Sequence, residues 1–260
     1  MKFRAKKSLG QNFLTDKNIL KKIVEVGKIT KDDKILEIGP GTGNLTEYIL
    51  NSDPKYVIVV EKDLELIKIL NIKFENKIKI INDDVLKLSE DFYNDRYIIY
   101  GNLPYNISTK ILSNWCLSKN IKFKKLILMF QKEVAERIIA KVNTKNYSRI
   151  SILANWKFNI KKIFDINPEC FVPKPKIKST LLEFVPKKKI IEIRNPKNVE
   201  NITKIFFSQR RKMIKKNFMR LFKNFKDLSK KFNIKLTDRP QNISVDKFLM
   251  LIKEYENQSN

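Results

Sequence analysis

The sequence predicts an α/β fold, a doubly wound parallel sheet followed by a small, basic helical domain. Three observations carry this. From Lys34, short β-branched runs alternate with longer helical patterns, a glycine cluster falls at the first strand-to-helix turn, and the character of the chain changes after Pro186.

Ahead of the sheet, Asp16 is placed to cap a helix over residues 17–27. Strands are expected at 34–38, 56–60, 77–81, 96–101 and 125–130, with helical patterns at 43–50, 64–74, 107–117 and 132–142 between and after them. Residues 150–158 and 176–184 read as two further strands. Lys187-Lys188-Lys189 and the Asn195-Pro196 turn mark a linker, which divides the chain into domains at 1–186 and 187–260. In the second domain 199–232 and 244–255 are helical in pattern, and the tail from Asn257 is expected to fray. No internal repeat interrupts this order.

Composition narrows the chemistry. A chain of 260 residues suits one large domain and a smaller one, and no stretch approaches the roughly 20 apolar residues of a membrane span. The start is basic but lacks the apolar run of a secretory signal, so a cytoplasmic protein is expected. Two cysteines and no histidine argue against thiol pairs, zinc clusters and imidazole bases, and no metal is expected. The net charge of +26, from 54 Lys and Arg against 28 Asp and Glu, produces a field that a polyanion feels at long range. Residues 1–180 hold 34 basic and 20 acidic side chains, and residues 181–260 hold 20 and 8, so charge per residue roughly doubles in the last segment. A nucleic acid is the expected partner.

Glu37-Ile38-Gly39-Pro40-Gly41-Thr42-Gly43 lies at the first strand-to-helix turn, where glycines let the backbone approach a ligand. A dinucleotide fingerprint would place its third glycine at position 44, which is Asn44, and no Walker lysine follows. The pattern favours S-adenosylmethionine over NAD. Glu61 ends the second strand, 22 positions after Gly39, where a carboxylate can accept both ribose hydroxyls. Asp84 follows the third strand, placed to accept from the cofactor's adenine amine. The competing readings are a solvated Glu61–Lys62 pair and a helix cap formed by Asp83 and Asp84.

After the fourth strand stands Asn102-Leu103-Pro104-Tyr105. The amino nitrogen of adenine is a poor nucleophile because its lone pair is delocalised into the ring. Acceptors aimed at the amine hydrogens localise that pair, and an Asn side-chain oxygen with a main-chain carbonyl held by the following Pro supplies two. Tyr105 adds a flat surface for the base.

With these residues in place, the chain resembles the ribosomal RNA adenine dimethyltransferases, specifically the small-subunit enzymes. The resemblance runs from Ser8-Leu9-Gly10-Gln11-Asn12-Phe13-Leu14 through Gln131-Lys132-Glu133-Val134-Ala135 and Tyr147-Ser148-Arg149-Ile150-Ser151 to Phe171-Val172-Pro173-Lys174-Pro175-Lys176-Ile177-Lys178-Ser179. It continues in Gln209-Arg210-Arg211-Lys212 and Arg239-Pro240-Gln241-Asn242-Ile243-Ser244. Ser148 stands where the family pattern has Gly. The resemblance implies a Rossmann-like class I methyltransferase sheet with an antiparallel last strand, then a small helical domain. It implies that Asn12 and Leu14 contact the cofactor with Gly39, Glu61, Asp84 and Asn102, and that Phe171 faces Tyr105 across a flipped adenine. It further implies that two adjacent adenosines near the 3′ end of small-subunit rRNA, free or in a pre-small-subunit particle, are dimethylated by a monomer. The basic face of Arg210, Arg211, Lys212, Lys215 and Lys216, and the arm of Lys2, Arg4, Lys6 and Lys7, are expected at phosphates. Three rivals are a large-subunit methyltransferase of the antibiotic-resistance type, a DNA adenine methyltransferase, and a non-catalytic nucleic-acid-binding or assembly factor. A Pro-Pro pair is usual in the DNA enzymes where Leu103-Pro104 stands here.

Overall fold

The computed structural model describes residues 6, 10–93, 95–119 and 122–258. Packing divides the chain into two compact units, one of Met1–Leu112, Asn120–Ala135 and Ile160–Pro186, the other of Ser113–Lys119, Glu136–Asn159 and Lys187–Asn260. The second unit therefore draws two segments from before position 187, which a single cut at 186 assigns to the first.

The first unit is built on strands β1 (Phe13–Leu14), β2 (Lys34–Ile38), β3 (Tyr56–Glu61), β4 (Lys79–Asn82), β5 (Ile98–Asn102), β6 (Lys125–Gln131), β7 (Phe158–Ile166), β8 (Phe171–Val172) and β9 (Ser179–Pro186). Seven of them form one sheet in the order β4-β3-β2-β5-β6-β9-β7, and β1 pairs with β8 separately. β2 pairs in parallel with β3 on one side and β5 on the other, so the strand order reverses there, and β9 runs antiparallel to β6. Ligands bind outside the carboxyl ends of strands at such a reversal. The central strands read as continuous apolar runs because both faces are covered, as parallel strands require.

The helices of this unit begin where the sequence supplies caps. Asp16 accepts from the backbone N–H groups of Asn18 and Ile19 at 2.9 and 3.0 Å and opens α1 (Lys17–Gly27). Gly43, at φ 76°, precedes α2 (Asn44–Leu50), and Asp63 caps α3 (Leu64–Phe74). Two more helices, α4 (Ser108–Leu117) and α5 (Lys132–Ile138), follow β5 and β6, and from Ser113 and Glu136 onward their residues belong to the second unit. α5 ends four residues short of the expected 142.

Residues 150–158, expected as a strand, form helix α6 (Arg149–Lys157), and the strand is the next segment, β7. Ile150, Ile152, Ala154, Trp156 and Phe158 alternate as a strand would, which hides the helix. Leu153 and Ser151 are buried along with Ile152, Ala154 and Trp156, so the segment is enclosed on several sides and periodicity alone does not decide it. The start of the helix does: Ser151 Oγ accepts from the Ser148 N–H at 2.9 Å and donates to the Arg137 carbonyl at 2.5 Å.

In the second unit α6 packs with α7 (Lys197–Phe207) and α10 (Val245–Gln258), and the helical pattern expected at 199–232 is divided among α7, α8 (Lys215–Leu221) and α9 (Phe225–Lys231). Phe206 sits at its centre, edge-to-face with Phe218 at 5.8 Å and Phe248 at 5.4 Å. Buried Glu256 accepts from the Arg194 and Asn195 N–H groups, both at 2.8 Å, and from Asn198 Nδ2 at 2.9 Å, a carboxylate at the amino end of α7. α10 continues through Asn257 to Gln258, so the predicted fraying at 257 is not seen there. Lys187 is tied down, its N–H bonded to the Lys157 carbonyl at 2.9 Å, and does not behave as a free linker residue.

Candidate active site

A cavity of about 340 Å³ opens at the carboxyl ends of β2, β3 and β5. Its lining includes Asn12, Leu14, Gly39, Glu61, Asp84 and Asn102 through Tyr105, so the structure brings nearly all of the expected site residues together. Phe171 is not among them. It is 2% exposed in β8, paired in register with Leu14 and packed into the main hydrophobic core, so the expected second face for an adenine is not presented at the cavity wall.

The glycine turn supplies the floor. Gly39 adopts φ 68° and donates its N–H to the Val60 carbonyl at 2.9 Å, which turns the chain sharply out of β2. At Gly41, φ 60°, an added Cβ would lie 2.7 Å from the Phe13 ring, so the N-terminal segment packs directly on the turn. Asn44, where a dinucleotide site would carry glycine, instead ties that segment down, because its Nδ2 donates to the Leu14 carbonyl at 2.8 Å.

Three carboxylates stand around this floor. Glu61 Oε1 accepts from the N–H groups of Lys62 and Asp63 at 2.8 and 2.9 Å, and Oε2 faces the Gly41 N–H at 3.3 Å. Burial nevertheless raises its pKa. The exposed-pair reading of Glu61 and Lys62 does not hold, because the Lys62 ammonium bonds Asp84 Oδ2 at 2.9 Å instead. Asp84 Oδ1 accepts the Leu86 N–H at 3.0 Å, and that bond with the Lys62 contact lowers its pKa; the segment it starts is a turn and not a helix. Glu37, 2% exposed, accepts from the Thr46 hydroxyl at 2.6 Å and is pushed up to about 7, chiefly by burial, with the Glu61 charge adding to it.

Asn102 lines the opposite wall. Its Nδ2 donates to the main-chain carbonyl of Asn12 at 2.8 Å. A carbonyl cannot donate, so this bond assigns the amide and leaves Oδ1 on the other branch as an acceptor. Beside it, no group among the described residues donates to the Leu103 carbonyl, whereas the Pro104 carbonyl is engaged by the Ile107 and Ser108 N–H groups that start α4. Tyr105, half-buried, bonds the Ser179 hydroxyl at 2.6 Å.

This arrangement can be set beside known proteins. The family model described as ribosomal RNA adenine dimethylase matches residues 2–257. The chain belongs to the ribosomal RNA adenine dimethylase family. Among its relatives, a ribosomal RNA small subunit methyltransferase A of Pelagibacter ubique is 56% identical over 97% of both chains. One of the same description from Malacoplasma penetrans is 40% identical over 98% of this chain and 93% of that one. A solved dimethyladenosine transferase from Plasmodium falciparum superposes with a TM-score of 0.79 at 29% identity, covering 95% of this chain and 98% of the other. The 23S rRNA methyltransferase ErmE, at 20% identity and a TM-score of 0.69, shares the fold. The chain is thus an enzyme of the rRNA adenine dimethylase family, with the Rossmann-like class I sheet and helical C-terminal region that its resemblance implies.

As a member of this family, the chain shows residues at its site that sequence reasoning passes over. Asp63 caps α3 while accepting from Lys6 Nζ at 2.8 Å and Gln11 Nε2 at 3.0 Å, which fastens the N-terminal segment beside Glu61. The signal is present, an Asp directly before the helical run Leu64-Glu65-Leu66. Lys6, expected at phosphates, is in this ion pair; Lys2, Arg4, Lys7, Ser8 and Leu9 lie outside the described residues. Ser179 enters the sequence reading only as the end of a motif. Arg210 also differs from expectation: its guanidinium bonds Gln241 Oε1 at 3.2 Å and the Lys145 carbonyl, while Arg211, Lys212, Lys215 and Lys216 are exposed. No helix among the described residues is long and apolar enough to cross a membrane.

Proposed function

We propose that this chain transfers methyl groups from S-adenosylmethionine to the N6 amines of two adjacent adenosines near the 3′ end of small-subunit ribosomal RNA. One observation carries the reading: Asn12 fixes the amide of Asn102 and leaves its oxygen as an acceptor, on a residue that lines one cavity together with Leu103, Glu61 and Asp84.

The residues present fit the cofactor. Gly39 turns the chain at positive φ with open space beside its Cα for close backbone approach, and Glu61 keeps acceptor capacity on Oε2 for a ribose diol. Asp84 stands one strand further on, with Val60, Val85 and Leu86 as apolar surface for a purine. Asn12 and Leu14 close the site from the N-terminal side. When bound, the cofactor supplies an electrophilic methyl group on a sulfonium.

The chain's own residues then act on the amine. Asn102 Oδ1 and the Leu103 carbonyl accept its two hydrogens, which concentrates the nitrogen lone pair on the side away from them. Tyr105 carries the base, turned out of its stack. No strong base is needed, since alkylation makes both amine protons acidic and one of them passes to water, and this suits a chain without histidine. A hydrogen survives the first transfer, so the same acceptors serve a second.

The substrate follows from the relatives named for the small subunit, over nearly the whole chain, and from the basic exposed face at Arg211 to Lys216. Likeness to the large-subunit enzyme shows the shared fold alone. The test is incubation with labelled S-adenosylmethionine and unmethylated small subunits, large subunits or DNA, followed by mass spectrometry of the nucleosides. Dimethyladenosine in small-subunit rRNA is expected; label confined to large subunits or DNA overturns the assignment.

A further inference from the structure

We propose that Ser179 is a positioning residue for methyl transfer, holding the far end of the Tyr105 ring in place through the 2.6 Å bond between the two hydroxyls. The inference rests on the reading of Tyr105 as the surface that carries the target adenine.

The two ends of this bond differ in freedom. Ser179 is fully buried and opens β9, where it pairs in register with Gln131 of β6. The Lys132 N–H bonds the Lys178 carbonyl at 3.0 Å immediately before it, so its backbone is fixed on both sides. Thr180, on the other face of the strand, bonds Asp165 Oδ1 at 2.7 Å and is committed elsewhere. Tyr105 lies in the turn between β5 and α4. Its carbonyl accepts from Ser108 Oγ at 3.2 Å, which sets the backbone but not the ring.

A tyrosine ring swings as a whole about its first side-chain torsion, and a half-buried ring on a cavity wall has neighbours on only part of its surface to stop it. A bond at the para position is placed to remove that freedom, because it fixes the ring's far end to a rigid strand. Burial raises the pKa of Tyr105, so the phenol stays neutral and keeps a proton for the pair, whichever hydroxyl donates. A stacked base takes its place from the ring, so a ring that swings carries the base with it. The hydroxyl pair therefore sets the angle at which the amine meets Asn102 Oδ1 and the methyl group, although neither oxygen touches the reacting atoms. A loss of this kind is felt in the chemical step more than in substrate capture.

The test uses full-length protein and unmethylated small subunits, with kcat and KM for Ser179→Ala, Ser179→Thr, Tyr105→Phe and the double variant Ser179→Ala/Tyr105→Phe. S-adenosylmethionine affinity by calorimetry and Tm are measured on each. Loss of one neutral hydrogen bond predicts kcat lower by about five- to tenfold in Ser179→Ala and in Tyr105→Phe, with KM and cofactor affinity within about twofold of the parent. Ser179→Thr is expected to restore kcat to within about threefold, and the double variant to be no worse than either single one. Parent-like kcat in Ser179→Ala, or losses that multiply in the double variant, overturns the proposal. Should Ser179→Ala lower Tm by many degrees, Tyr105→Phe removes the same bond from the ring side, and parent-like kcat there is equally decisive. Tyr105→Ala separates the two readings. If it keeps full kcat, the base-carrying role of Tyr105 fails; if it is inactive while Ser179→Ala and Tyr105→Phe are both normal, only the anchor fails.

Discussion

Asn102 donates its side-chain amide to the main-chain carbonyl of Asn12 at 2.8 Å, across 90 positions of sequence. The bond joins the end of a central strand to an N-terminal segment that lines the same cavity, and it decides which end of the amide is left as an acceptor. The geometry of the acceptor thus depends on the N-terminal segment being seated.

Asn102→Asp separates oxygen from orientation. The aspartate keeps two acceptors but cannot donate, so it would face the Asn12 carbonyl with matching negative ends and turn away. Methyl transfer in single turnovers is expected to fall about 10²-fold, as for the loss of one preorganised polar contact, and Asn102→Ala by at least as much. Near-normal transfer by Asn102→Ala, with calorimetric S-adenosylmethionine binding unchanged, would refute the acceptor role.

Gly41→Ala tests the seating of the N-terminal segment. A side chain at φ 60° is strained, and the added Cβ lies 2.7 Å from the Phe13 ring, which must move. Stability in urea is expected to drop by about 1–3 kcal/mol and cofactor affinity at least severalfold. An unchanged affinity would mean that Phe13 and its segment are not part of the cofactor site.

Glu37 predicts a pH dependence whose sign follows from its burial. Its folded pKa is raised to about 7, against 4.5 for the free side chain. Below about 4.5 both states are protonated and the group is neutral to stability; as pH rises through 4.5 to 7 the unfolded state loses its proton first, so stability falls. The loss levels off above 7, at roughly 3 kcal/mol. Urea unfolding of cofactor-free protein from pH 5 to 8 should show this decline, and Glu37→Gln should abolish most of it. A variant with the parent's slope would place the titration elsewhere.

The basic C-terminal face divides into structural and outward charges. Arg210 is held by Gln241 and the Lys145 carbonyl, so Arg210→Ala is expected to cost about 1–2 kcal/mol of stability. Exposed Lys215 and Lys216 make no such demand. Their alanine variants should keep Tm within about 2 °C while lowering the slope of log affinity against log salt for small subunits by up to about one each. Unaltered slopes would remove this face from the RNA interface.

Much of the site was legible because its signals are local. The glycine turn, the strand-end Glu61 and Asp84, the tetrapeptide at Asn102 and the Asp16 cap are each short patterns whose chemistry follows from residue type and spacing, and the structure sets the expected cavity residues around one space. The failures were local in the same sense. Alternating apolar residues disguised α6 as a strand, since the burial of Leu153 and Ser151 is a property of neighbours far along the chain. By itself the sequence determined the order of strands and helices from β2 to α5, the charge and the chemical types available at the strand ends, because periodicity and turn residues act within a few positions. Only tertiary structure decided that Phe171 is packed beside Leu14, that Lys6 is spent on Asp63, and that Ser179 meets Tyr105. Those pairings depend on which segments lie side by side, and a contact across 57 or 74 positions leaves no mark in the spacing of either partner.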